Sequence, residues 1–217
     1  MKKGNLPENQ TSHSFTVTSI DFKKSYNVMD LRLSHGFSDR DLSFLLGYQP
    51  LFVRDIENPL HSKRYKPKDT NYLLHIFNCQ LSAILDKSLP TLTYKLKVVT
   101  TTNSNATKNY QIYIEDPDKK YRLFRSFTEL AKDQLLSPKS IATPGEVKEY
   151  LEDILKGSYF KTPRTGLELF IKCTEYFNGH IKPVFIQSAI DGINKEAKTS
   201  RIVVGKNEMR RLVYSIK

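Results

Sequence analysis

Residues 38–59 read SDRDLSFLLGYQPLFVRDIENP, and the parsing of this stretch decides the fold. Ser38 can cap a helix, with Asp41 three positions on to answer it. Leu42, Leu45 and Leu46 recur along one edge of that helix, which marks the edge as buried. Ser43 is small enough to let a second helix approach, and Gly47 can take the positive φ that a tight turn requires. Val53 and Ile56, three apart, give the following helix its core edge. The pattern is a short helix, a turn, and a second helix crossing the first.

Working outward, the 217 residues suffice for one large or two small domains. A hydrophobic content of 39%, with 12 Phe and 12 Tyr, supports packed cores. No apolar run approaches the ~18 residues of a membrane span. The start, MKKGNLPENQTSHSF, lacks the apolar stretch of a secretory signal. Cys79 and Cys173 stand far apart inside apolar helical patterns and read as buried free thiols in a reducing cytoplasm. The net charge of +11 favours phosphate-rich partners, although plain surface solvation explains it equally. Residues 1–80 hold 11 basic and 8 acidic side chains, 81–140 hold 10 and 6, and 141–217 hold 13 and 9. With no charged tail, any basic patch must be assembled by folding.

Residues 1–13 are polar and read as loose. SFTVTSIDF (14–22) alternates and suits a short strand over 14–20, after which helical patterning runs from about Ser25 to Lys87. TYKLKVVTT (93–101), NYQIYIED (109–116) and KYRLFRSF (120–127) alternate with period two and predict an antiparallel meander, turned at DPDK (116–119). FTELAKDQLL (127–136) reads as a helix and 137–145 as a linker. TPGE (143–146) is a capping box for a helix ending at Gly157. TPRT (162–165) reads as the next helix start, with Leu167, Phe170, Ile171, Thr174 and Phe177 buried and Asn178-Gly179 closing it. Pro183 opens a third helix to about Asn194, and RIVVGKNEMRRLVYSIK (201–217) forms a hairpin around GKN (205–207). Three helices and a basic hairpin follow the order of a winged helix.

The central stretch resembles the Cro/CI-type, or XRE-like, helix-turn-helix family. Arg32, Gly36, Ser38, Leu42, Ser43, Leu46, Gly47, Val53, Ile56 and Glu57-Asn58 carry the resemblance, over about residues 25–87. It implies five helices, the last two from KPKDTNYLLHIFNCQLSAIL (66–85), and duplex DNA as partner. It also implies that Gln49, Pro50, Leu51, Phe52 and Asp55 face the groove, and that Asp39 stands where the family holds a phosphate-binding Gln. Pro50 and Leu51 offer no hydrogen bond to a base edge. Between Asn27 and Asn58, three basic residues oppose five acidic ones, a net −2. The exposed edge Leu51-Phe52 suits a protein contact as well.

Two other stretches suit phosphate contact. HSKRYKPK (61–68) places Lys63, Arg64, Lys66 and Lys68 around Tyr65, either as a backbone-binding run or as a solvated loop. In the C-terminal third, Gln187, Asp191, Asn194 and Lys195 share a helix face, and Lys198, Arg201, Lys206, Arg210 and Arg211 line the segment that follows. A polar helix face beside a guarded edge strand is the alternative. No metal spacing, phosphate loop or nucleophile motif occurs, and no cofactor is implied. Pro117-Asp118 with Glu146-Val147-Lys148 imitates a nuclease signature, but Glu146 is better spent on a cap.

The sequence therefore reads as an α+β, mostly α chain. The expected parts are a five-helix helix-turn-helix module and meander within 14–136, a linker at 137–145, and a winged-helix-like domain over 146–217. The expected function is that of a non-enzymatic, cytoplasmic bacterial DNA-binding protein that regulates transcription. The alternative is a protein-interaction adaptor, with a protein partner or a second copy, that keeps the helix-turn-helix shape.

Overall fold

The computed structural model describes residues 9–128, 139–196 and 201–216. The helix expected at 127–136 falls almost wholly outside them, and 127–128 belong to a strand. In chain order the elements are β1 (Gln10–Thr18), α1 (Ser19–Ser34), α2 (Asp39–Leu45), α3 (Phe52–Glu57), α4 (Pro67–Phe77), α5 (Leu81–Ile84), β2 (Thr93–Thr102), β3 (Lys108–Glu115) and β4 (Tyr121–Thr128). After them come α6 (Pro144–Lys156), a 3-10 turn (Tyr159–Lys161), β5 (Arg164–Thr165), α7 (Gly166–Phe177), α8 (Pro183–Glu196), β6 (Ile202–Lys206) and β7 (Leu212–Ile216).

The chain divides into two compact units. One comprises residues 1–30, 55–70 and 79–135; the other comprises 31–54, 71–78 and 136–217. This overturns the mostly α reading with its five-helix module. Helical segments do occupy residues 19–84, but α1, α3 and α4 each give one end to one unit and one end to the other. They share no core of their own. The protein is α+β, with eight helices and two antiparallel sheets among the described residues.

The first unit is built on a four-stranded antiparallel sheet in the order β1-β2-β3-β4. Strict alternation in β2 buries Tyr94, Leu96, Val98 and Thr100 and leaves the intervening residues half-buried or exposed. One face thus belongs to the core and the other to solvent. Phe22 and Tyr26 of α1 lie on the buried face, with Phe22 4.8 Å from Phe124 and 5.5 Å from Tyr94. Arg125 pairs with Asp30 and lies 5.4 Å over the Tyr26 ring. β1 begins at Gln10, so 10–13 are strand rather than loose, and helix α1 starts at Ser19, inside the stretch expected as strand. The Ser19 hydroxyl fixes that switch by donating to the Thr91 carbonyl at 2.5 Å.

The second unit packs α2 against α7 and α8, α6 against α8, and carries a sheet in the order β5-β7-β6. Ser38 and Asp41 form the expected capping box, and Leu42, Leu45 and Leu46 are fully buried. The buried Ser43 hydroxyl accepts from the Val53 N–H at 3.0 Å and donates to the Asp39 carbonyl at 2.7 Å, which ties the start of α3 to α2. A side chain at Gly166 would collide with the Phe44 carbonyl oxygen, so α2 and α7 approach this closely only with glycine there. That contact selects the buried face of α7: Gly166, Leu167, Leu169 and Cys173, whereas Ile171 is 43% exposed. The cap of α7 is Thr165, answered by Glu168, and not Thr162, because Arg164 and Thr165 pair with β7. Thr143 and Glu146 cap α6 as expected.

Candidate nucleic-acid interface

The C-terminal hairpin is placed by one glycine and one arginine. Gly47 sits at φ +71°, and its carbonyl accepts from the Leu212 N–H at 2.7 Å. A Cβ on Gly47 would lie 3.0 Å from the Arg211 Cβ, so the turn after α2 is the seat on which β7 begins. Arg211 itself is wholly buried. Its guanidinium donates to the Leu46 carbonyl and lies 3.7 Å over the Tyr72 ring and 5.1 Å from Tyr48. Expected to touch phosphate, it is instead a packing residue of the second unit.

The hairpin turn also differs from expectation. Lys206 still pairs with Leu212, and the connection is Asn207–Arg211 rather than GKN. Asn207 closes it: its N–H donates to the Arg211 carbonyl at 3.0 Å and its side-chain oxygen accepts from the Arg211 N–H at 2.9 Å. Arg210 takes φ +60° in this loop and is exposed. The left-handed residue turns the chain so that Arg210 and Arg211, neighbours in sequence, take opposite environments.

On α8, Asn194 is committed to the fold. Its amide oxygen accepts from the Ile202 N–H and its nitrogen donates to the Ile202 carbonyl, both at 2.9 Å. It imitates a strand partner and fastens the end of α8 to the start of β6. Gln187 is half-buried, and its amide nitrogen is enclosed without a hydrogen bond. Asp191 and Lys195 remain exposed. Lys198 lies outside the described residues. Lys195, Arg201, Lys206 and Arg210 are all exposed, and none makes an ion pair among the described residues. Lys148 and Arg164 of the same unit are held, by Glu196 at 2.5 Å and by Glu168 at 3.5 Å.

The 61–68 run belongs to the first unit and does not form the expected platform. Tyr65 is buried and offers no ring to a ligand. Lys63 pairs with Asp55 at 2.5 Å. Arg64 donates to the carbonyls of His61 and Lys63 and lines a cavity of about 10 Å³ with Phe22 and Tyr26, room for roughly one water. Lys68 is half-buried, and Lys66 alone of the four basic residues is exposed. After α2, Gln49, Pro50 and Leu51 are exposed, Leu51 at 48%, while Phe52 stacks on Tyr48 at 3.7 Å.

The titratable groups are mostly tied to packing. Burial pushes the Cys173 thiol up to about 12, which removes it as a nucleophile near neutral pH. Burial likewise pushes the Tyr214 phenol up to about 12. Burial raises the Asp41 carboxyl above the usual carboxylate range against the pull of its hydrogen bonds with Ser38. Glu146 is spent on the Thr143 cap, where the backbone hydrogen bond holds its carboxyl below the usual range. No group of three His, Cys, Asp or Glu side chains that could hold a metal occurs among the described residues, and no helix among them is long and apolar enough to cross a membrane.

The chain matches no family profile, no curated protein and no solved structure.

Proposed function

We propose that the protein binds duplex DNA through the β6–β7 hairpin and the adjoining end of α8. One observation carries this: Lys195, Arg201, Lys206 and Arg210 are exposed and have no acidic partner among the described residues. Arg201 precedes β6 and Lys206 ends it, about 16 Å apart at the usual rise of a strand. Asn194 fastens Lys195 beside the Arg201 end, and the turn holds Arg210 beside the Lys206 end. Two pairs of cations at that separation suit a polyanion with one charge per ~1.7 Å of helix axis. Regulation of transcription in a bacterial cytoplasm is the role that would suit such a contact.

Lys206→Ala tests the reading. Removing one phosphate contact lowers affinity for every sequence and reduces the slope of log affinity against log salt by about one. Fluorescence anisotropy with a short labelled duplex at several salt concentrations reads both. An unchanged slope in a folded variant removes the hairpin from the binding surface.

A second reading has its own observation. Leu51 is 48% exposed at the turn into α3 beside the stacked Tyr48 and Phe52 rings, a small apolar edge suited to a protein partner. Leu51→Ala leaves duplex affinity unchanged if DNA binds at the hairpin. A loss of affinity or of sequence preference in that variant puts DNA on α3 instead.

A further inference from the structure

We infer that the DNA contact reads the phosphate backbone and not the base sequence, an inference that rests on the duplex-binding reading above. Base readout requires unengaged donors and acceptors on the element that enters the groove, typically Arg, Lys, Asn or Gln in a bidentate pose. On α8 the two amides are withheld, and Lys195 is the one such side chain left exposed. Asn194 uses both halves of its amide on the Ile202 backbone. The Gln187 amide nitrogen is enclosed in the protein. The stripe of α8 left facing solvent is Val184, Ser188, Asp191 and Lys195, spaced i, i+4, i+7 and i+11. It offers one hydroxyl, one carboxylate and one ammonium. Asp191 would meet the polyanion with like charge, so the stripe opposes deep entry into a groove. The alternative reader, α3, has only six residues, and Pro50 and Leu51 at its start carry no side-chain donor, which leaves it Gln49 and Arg54. The four open cations lie at the two ends of the hairpin, where they can follow phosphates without any base being touched.

The arrangement therefore behaves as a sequence-tolerant clamp. Four phosphate contacts give a salt slope of at most about −3.6. The test is a selection from a randomised duplex library with the full chain, followed by salt titrations on the most enriched and a scrambled duplex. The expected result is no consensus, affinities within about threefold of each other, and a shared slope that Lys206→Ala and Arg210→Ala each make shallower by about 0.9. Asp191→Asn raises affinity for both duplexes equally. A consensus bound more than tenfold tighter than the scrambled duplex, with a preference that Ser188→Ala or Asp191→Asn erases, overturns the inference and leaves the duplex-binding reading standing. No salt-dependent binding to any duplex overturns both.

Discussion

Arg210 and Arg211 are adjacent, identical in type, and expected to respond oppositely to the same substitution. Arg211→Ala removes a buried guanidinium that donates to the Leu46 carbonyl and lies 3.7 Å over Tyr72. A hydrogen bond from a charged group contributes about 1.5–3 kcal/mol. A desolvated cation over an aromatic face adds about 2 kcal/mol. The void left by the stem costs more, so the variant should lose about 4–5 kcal/mol, at the upper end for single substitutions. Arg211→Met keeps the volume and should recover part of the loss. Arg210→Ala removes an exposed side chain and should change stability by about 0.5 kcal/mol or less. Urea unfolding followed by circular dichroism measures the difference. Exchange of the Leu212 amide hydrogen, which is bonded to Gly47, localises it to the seat of the hairpin. The DNA titration should order the two in reverse: Arg210→Ala makes the salt slope shallower, whereas the folded fraction of Arg211→Ala keeps it. Equal stability of the two alanine variants would refute the packing role of Arg211.

Two further outcomes follow from the same unit. Asn194→Ala forfeits both hydrogen bonds to Ile202 and should cost about 1–3 kcal/mol without altering sequence preference, which urea unfolding and the duplex titration separate. Burial first, and the Lys182 ammonium second, hold the His180 imidazole below its ordinary range, with His35 adding to the effect and Asp41 opposing it. The unfolded chain therefore takes up this proton at higher pH than the folded one. The stability His180 contributes is complete above its unfolded pKa of about 6.5 and is lost as pH falls through the folded value. His180→Leu should flatten the fall in unfolding midpoint between about pH 7.5 and about pH 5; an unaltered fall assigns it to other groups.

Local signals in the chain translate directly into structure. Ser38 and Thr143 cap helices as their chemistry requires, since a side-chain oxygen three residues before a free N–H needs no tertiary help, and Asn178 closes α7 by taking the left-handed conformation at φ +51°. Period-two alternation places β2, β3 and β4 within one or two residues. The partition of helices between cores has no such local marker. Asp30 and Leu31 are consecutive residues of one helix and belong to different units. Periodicity reports that a face is apolar and not which partner covers it. For this reason it misassigns the buried face of α7: Ile171 fits the apolar repeat, but Gly166 decides the face through its contact with Phe44, and a contact distant in sequence leaves no periodic trace.

The candidate interface is legible in composition and illegible in detail, and Arg211 shows why. A run such as Met209-Arg210-Arg211 carries the same charge whether both arginines face water or only one does. What separates them is a single backbone torsion, φ +60° at Arg210, together with Asn207 bridging the loop to Arg211 and so beginning β7 at Leu212. Beginning the strand there directs Arg211 onto the seat that Gly47 leaves open, where Tyr48 and Tyr72 bracket it. The residues that hold β7 and its arginine are Gly47, through its carbonyl, and Tyr48, through its ring, whereas Gln49, Pro50 and Leu51, which the helix-turn-helix resemblance assigns to DNA, stay exposed beside them. The side chains free to meet phosphate are those the docking turns outward: Lys206 and Arg210 at one end of the hairpin, Lys195 and Arg201 at the other.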